Sequence, residues 1–400
     1  MRNCTFTILA ALTCCALVTS SCGGGSSHSN EATTGQTSSG QNVQPIVVNS
    51  GPAGNYANGA FTSVTVCVPG SSNCQTISGI LVDTGSVGLR ILSSALTLTL
   101  PQQKGSDGNP IVECLPFLFS YTWGPVQTAD IHLAGETASS TPIQVLSDTA
   151  YPVATNCKDF GLASADNLQT LGANGILGVG MFPQDCGEGC AQSSSYGLYY
   201  ECPSSGCQPV TEITSAQVQN PVALFATDNN GVLIQLPASS SPAATLSGSL
   251  IFGIGTQSNN ALGSATVYTP NANADFVTQY KGQSYPNSFV DSGSNGIFFL
   301  DNATTQILVC TDDSGFYCPA SVQNLSAVTV GANGSQSTIG FTVANADSLF
   351  SNANDAVFGQ LAGPNPNSFD WGLPFFYGRN VFTAIQTKST PQGVGPYWAY

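Results

Sequence analysis

A short pattern written twice constrains this chain more than anything in its composition. LVDTGSVGLRIL occupies residues 81–92, and FVDSGSNGIFFL occupies residues 289–300. Matched position for position, Val, Asp, Gly, Ser, Gly and the closing Leu agree, with Thr84 answering Ser292. One aspartate in such a turn is ordinary, because its carboxylate caps nearby backbone N–H groups. Two such turns, each behind apolar residues and each followed by Ser-x-Gly-apolar, call for a common plan.

The repeat has a second register. ANGILGVG follows the first motif at residues 173–180, and FDWGLPFFYGRNVFTAI follows the second at 369–385. In each, bulky residues precede a glycine, Gly178 and Gly372. Two successive lobes of similar plan explain this symmetry, with a seam near residue 245. The expected partition is 45–245 for the first lobe and 246–400 for the second.

The strand content is equally legible. The chain carries 43 Gly and 23 Pro, and only 7% of its residues are charged, so few side chains suit exposed helix faces. Alternating apolar runs at FTSVTVCV, QTISGILV, ADIHLAG, TPIQVLS, GVLIQLP, GSLIFGIG, SATVYTP, SAVTVGANG and STIGFTV are separated by turn residues and read as strands. The best helical candidate is brief, TTQILVC at 304–310. The fold class is therefore all-β.

With 7 Lys+Arg against 22 Asp+Glu, the net charge is −15, which leaves no basic footprint for nucleic acid. The scarcity of bases also keeps self-repulsion mild once carboxylates protonate, as acid tolerance would require. An acidic, soluble extracellular protein would share the same balance. Residues 1–22, MRNCTFTILAALTCCALVTSSC, read as a targeting segment: Arg2, an apolar core, then small residues before Cys22. That segment resembles a bacterial lipoprotein signal, which implies lipidation of Cys22, although Thr19 stands where such signals carry Leu. Ordinary signal cleavage nearby is the alternative. Residues 23–44 follow as a Gly/Ser-rich tether. The expectation is an exported monomer, lipid-anchored at the cell envelope (the outer membrane) or secreted, touching membrane only through its N-terminal lipid.

Ten cysteines follow Cys22, an even set behind an export signal. Cys67 with Cys74, Cys186 with Cys190, Cys202 with Cys207 and Cys310 with Cys318 are near enough for local pairs, leaving Cys114 with Cys157; an even set permits other connectivities. Zinc is the rival use, but the only histidines are His28 in the tether and His132 in a strand run. The same scarcity removes a Ser-His-Asp triad. No metal and no cofactor are expected.

If two lobes pack about a pseudo-twofold axis, the two turns meet. Two carboxylates at close range cannot both ionise and so hold one proton between them. One is then a base able to activate water, the other an acid able to protonate a carbonyl. The glycines permit the tight turn, and the hydroxyls of Thr84, Ser86, Ser292 and Ser294 can hold the carboxylates.

These residues resemble the pepsin-like aspartic peptidases, in a divergent bacterial branch, and the resemblance covers most of the mature chain. It implies the bilobal pepsin-like fold with a cleft between pseudo-twofold-related β lobes, and an exported endopeptidase acting on polypeptide. By the match, Asp83 and Asp291 are the catalytic pair. Thr84-Gly85-Ser86 and Ser292-Gly293-Ser294 support them: Thr84 and Ser292 lock the loops, while Ser86 and Ser294 hydrogen-bond the carboxylates. Three departures stand out. Arg90 occupies a place that usually holds an aromatic residue bracing the flap. The flap's Tyr-Gly has no direct match; Tyr121 in FLFSYTWGPVQTADIHLAG is the candidate and Trp123 its rival, with a shortened run to Asp130. Asp370 stands at a normally apolar position two before Gly372. The competing expectation is a non-catalytic surface-binding lipoprotein on the same fold.

Overall fold

The computed structural model describes residues 40–118, 120–158 and 160–400. The targeting segment with Cys22, the tether up to residue 39, and His28 lie outside the described residues. The strand Val43–Asn49 begins just inside the segment assigned to the tether.

Each alternating run becomes a strand or part of one, because β-branched and aromatic side chains fit a pleated, half-buried surface. The larger sheet holds 16 strands and the smaller main sheet 7. The larger one is shared by both halves of the chain. Val43–Asn49 pairs antiparallel with Leu246–Phe252, from Val43 opposite Ile251 to Val48 opposite Leu246. Gly231–Gln235 continues it, pairing with Leu246–Phe252 and with Asn380–Ala384. The smaller sheet is built wholly from the second half, Gln283–Val290, Asn365–Trp371 and Ile297–Leu300 among its strands. The result is an all-β, bilobal, pepsin-like architecture with the two motifs at its centre.

The two registers of the repeat meet within each lobe. Gly175–Val179, from ANGILGVG, runs parallel to Cys74–Asp83 and antiparallel to Val87–Leu92, so it lies beneath the first loop. Asn365–Trp371 does the same beneath the second, parallel to Gln283–Val290 and antiparallel to Ile297–Leu300. Both glycines are needed for close approach. A Cβ on Gly178 would lie 2.6 Å from the Val87 backbone, and one on Gly372 would lie 2.1 Å from the Gly296 carbonyl oxygen.

Aromatic packing stiffens the floor of the second lobe. Phe299, Phe341, Trp371 and Phe369 form a closed ring of contacts, each ring centroid 5.2–5.5 Å from the next, stacked or edge to face. Such pairs contribute about 0.5–1.5 kcal/mol each beyond area burial.

The helical expectation at 304–310 fails. One turn forms at Asn302–Thr305, capped by Asp301, and stops at Gln306, whose φ is 64°. Beyond it, Val309 bridges to Tyr317 and Cys310 is tied to Cys318, which fixes an extended course. The disulfide and the bridge outweigh a propensity carried by seven residues. All five disulfides form as the spacing suggested: Cys67–Cys74, Cys114–Cys157, Cys186–Cys190, Cys202–Cys207 and Cys310–Cys318. Cys67 and Cys74 lie beside His132, but their sulfurs are joined to each other and offer no thiolate pair. Among the described residues, no helix is long and apolar enough to cross a membrane.

Candidate active site

Each motif leaves its strand as a turn that points its aspartate back onto its own backbone. The Gly85 N–H donates to Asp83 Oδ1 at 2.8 Å, and the Gly293 N–H donates to Asp291 Oδ1 at 2.7 Å. The Ser86 hydroxyl donates to Asp83 Oδ2, and Ser294 Oγ lies 2.8 Å from Asp291 Oδ2. The sequence repeat is thus a repeat of hydrogen bonds.

The loops are also exchanged across the lobes. The Thr84 N–H donates to Ser292 Oγ at 3.1 Å, and the Ser292 N–H donates to Thr84 Oγ1 at 2.9 Å. The Ser292 hydroxyl then donates to the Val82 carbonyl at 2.8 Å, and the Thr84 hydroxyl to the Val290 carbonyl at 3.4 Å. Thr84 and Ser292 are both buried, so each bond is shielded from water.

This exchange sets the carboxyls face to face. A Cβ on Gly85 would sit 2.6 Å from Asp291 Cγ. One on Gly293 would sit 2.7 Å from Asp83 Oδ1 and 3.2 Å from Asp291 Oδ1. The Asp291 carboxyl is pushed well above the usual carboxylate range, first by loss of water and then by the Asp83 charge. Asp370, one serine away, is a third acid beside the pair. No cation is among the groups acting on Asp291 to offset that rise, and two carboxyls this close can hold one proton between them.

The tyrosine beside the pair is one that sequence reasoning missed. Tyr56 belongs to the loop GPAGNYANG between the first two strands. Its hydroxyl donates to the Gly293 carbonyl at 3.1 Å. Burial, then the charges of Asp83 and Asp291, push its phenol above the ordinary tyrosine range. Asn58, two residues on, pins this loop to the opposite lobe. Its side-chain amide donates to the Asn295 and Phe358 carbonyls at 2.7 and 2.9 Å, and its Oδ1 accepts from the Phe358 N–H and the Tyr377 hydroxyl, both at 2.7 Å. The only sequence signal was one aromatic residue in a Gly/Asn-rich loop.

Tyr121 lies just past the hairpin joining Ile111–Pro116 to Ser120–Leu133, opposite Pro116. Its side chain packs with Trp123, Tyr200 and the Cys114–Cys157 disulfide. Trp123, its rival, shares that cluster and donates its indole N–H to the Tyr151 carbonyl at 2.8 Å. Arg90 is wholly buried and forms ion pairs with Glu113 at 2.8 Å and Asp185 at 2.9 Å. The Tyr199 hydroxyl donates to Asp185 at 2.7 Å. An ionic cluster therefore fills the place where the resemblance led one to expect an aromatic brace.

The architecture matches a solved structure, the aspartic proteinase from Irpex lacteus, at a TM-score of 0.52 and 14% identity, covering 89% of this chain and 96% of that one. At that identity the likeness establishes the fold. No curated protein matches the sequence. Residues 38–400 match the family described as "Protein of unknown function (DUF3443)", and the chain belongs to that family.

Proposed function

We propose that the protein is an exported aspartic endopeptidase, with Asp83 and Asp291 as its catalytic pair. The observation that carries this reading is the reciprocal exchange of Thr84 and Ser292 across the lobes. It sets two carboxyls side by side, each held by an N–H and a serine hydroxyl.

In this reading the ionised partner takes a proton from a water held between the carboxyls, and the water oxygen attacks the peptide carbonyl carbon. The protonated partner gives its proton to the carbonyl oxygen. Collapse of the tetrahedral adduct then needs a proton on the departing nitrogen, which the newly protonated carboxyl supplies. As the C–N bond breaks and the carbonyl re-forms, one hydroxyl of the adduct returns its proton to the other carboxylate. The pair ends with one proton, as it began. The substrate would be a polypeptide laid along the cleft. Export is supported by the five disulfides and by the residue 1–22 segment, with Cys22 the proposed lipid attachment point.

The test is digestion of a denatured protein from about pH 2 to about pH 7, with and without a statine-type inhibitor. Cleavage should be greatest in acid, fade as both carboxylates ionise, and stop with inhibitor. Asp83→Asn and Asp291→Asn should each lower kcat by about a thousandfold or more while the fold persists, because each ends the acid–base partnership. Cleavage that survives either change would place the chemistry elsewhere. No cleavage by the intact, disulfide-bonded protein would favour a non-catalytic binding role.

A further inference from the structure

Asp370 is a third carboxyl at this site, and the two-aspartate mechanism does not use it. It lies on Asn365–Trp371 with no exposed surface. Phe289 and Phe298 stand opposite it on the two neighbouring strands. Ser294 Oγ lies 2.6 Å from Asp370 Oδ2 and 2.8 Å from Asp291 Oδ2. Among the described residues, Asp370 Oδ1 has no hydrogen-bond partner.

A proton count follows. A serine hydroxyl has one hydrogen and cannot donate to two carboxylates. If both contacts are hydrogen bonds, one carboxyl must give a proton to Ser294 Oγ. Asp291 accepts the Gly293 N–H and is only part-buried, so a charge there is better met than one on Asp370, which has no exposed surface. Asp370 is flanked by phenylalanines and has one oxygen unpartnered, so an ionised form there would be left nearly unsolvated. The titratable groups facing it are Asp291, one serine away, and Asp83 from the other lobe. Both are acids, and each negative charge favours the neutral form further.

We propose that Asp370 is a permanently neutral acid that donates to Ser294 and so commits the serine's own hydrogen to Asp291, making it a positioning residue for the second catalytic loop. Burial, with Asp83 adding to it, pushes the Asp370 carboxyl well above the usual range, in keeping with this assignment. The role in catalysis rests on the peptidase reading above; the protonation state does not.

The test compares the intact protein with Asp370→Asn and Asp370→Leu. The first readout is the infrared carbonyl band of a protonated carboxyl at neutral pH. Because Glu212 and other raised carboxyls also absorb there, the band is read as a difference spectrum: parent minus Asp370→Asn should show one lost carbonyl band, and the same loss should appear in an Asp291→Asn background. The second is the pH profile of cleavage, with kcat and KM separated. The Asn amide donates to Ser294 in place of the acid, so Asp370→Asn should keep kcat within about twofold and leave the alkaline limb unmoved. Asp370→Leu removes the donor and should lower kcat about tenfold with KM held.

A parent-minus-Asp370→Asn difference spectrum with no lost carbonyl band overturns the proposal. So does an acidward shift of the limb by about one unit or more in Asp370→Asn, the signature of a lost negative charge. Unchanged kcat in a folded Asp370→Leu protein reduces Asp370 to packing and refutes the positioning role. If Asp370→Leu does not fold, the Asn variant and the band still decide. If the parent cleaves nothing, the peptidase reading fails while the band still tests the proton.

Discussion

Asn58→Ala is the perturbation that most directly tests how the lobes are held in register. Asn58 has no exposed surface, and its side chain makes four hydrogen bonds to segments of the opposite lobe. Truncation strands the Phe358 N–H and the Tyr377 hydroxyl as buried donors, at about 1–3 kcal/mol each. The two carbonyls lose an amide donor as well. Partial relaxation and water entry bring the expected loss to about 3–5 kcal/mol. Part of it belongs to the backbone, because Asn58 has a φ of 54°, where alanine is strained by about 1 kcal/mol or more. Asn58→Gly removes the same hydrogen bonds without that strain, so it should be about 1 kcal/mol more stable than Asn58→Ala. Urea unfolding followed by tryptophan emission is a suitable assay, since Trp123, Trp371 and Trp398 are all buried. A loss below about 1 kcal/mol for Asn58→Ala at unchanged slope would refute the clamp. Glycine and alanine variants of equal stability would refute the backbone share.

Three further outcomes follow. Tyr56→Phe removes the hydroxyl that holds the Gly293 carbonyl, so it should lower kcat about tenfold and stability by only about 1 kcal/mol; unchanged kcat would make Tyr56 a packing residue. Arg90→Met strands Glu113 and Asp185 without their cation and should cost about 3–5 kcal/mol at neutral pH, with part of the loss recovered in acid where the carboxyls are neutral; a loss independent of pH would refute the ionic account. The parent protein should be more stable in mild acid than at neutrality. Burial raises Asp291 and Asp370 well above their ordinary range, Glu212 to about 7 and Asp275 to about 6. Each group ionises more readily in the unfolded chain, so the stability present below the ordinary carboxylate range is lost as pH rises through the folded values. A urea midpoint that climbs between about pH 4 and about pH 7 would contradict this.

What could be read from the sequence was whatever repeats or pairs locally. The doubled motif placed Asp83 and Asp291, and the alternating runs placed the strands, because both signals are written in consecutive residues. The disulfides were legible for the same reason, four of the five closing short segments. Tyr56 and Asn58 were not. Their partners at Gly293, Asn295, Phe358 and Tyr377 are more than two hundred residues away in the chain, and no periodicity records such a contact. Arg90 was noticed as a departure, yet its meaning depended on acids from two distant segments, Glu113 and Asp185. Tyr121 had the right neighbourhood in sequence. Its strand turns it toward Trp123, Tyr200 and a disulfide, where an apolar cluster buries it.

The repeat also overstates the likeness of the two halves. In register, Ile176 stands beneath the first loop where Asp370 stands beneath the second: Val82 lies opposite Leu177, and Val290 lies opposite Trp371. Ser86 therefore meets one carboxyl, and Ser294 lies between two. Tyr56 adds to the imbalance, since its hydroxyl reaches across to the Gly293 carbonyl in the second loop. The two aspartates sit in backbone turns of the same shape but in different fields. A shared proton in such a pair has a physical reason to prefer one side, which a symmetric pair would lack. The backbone symmetry brings the carboxyls together, and a single exchange of an apolar residue for an acid makes the pair unequal.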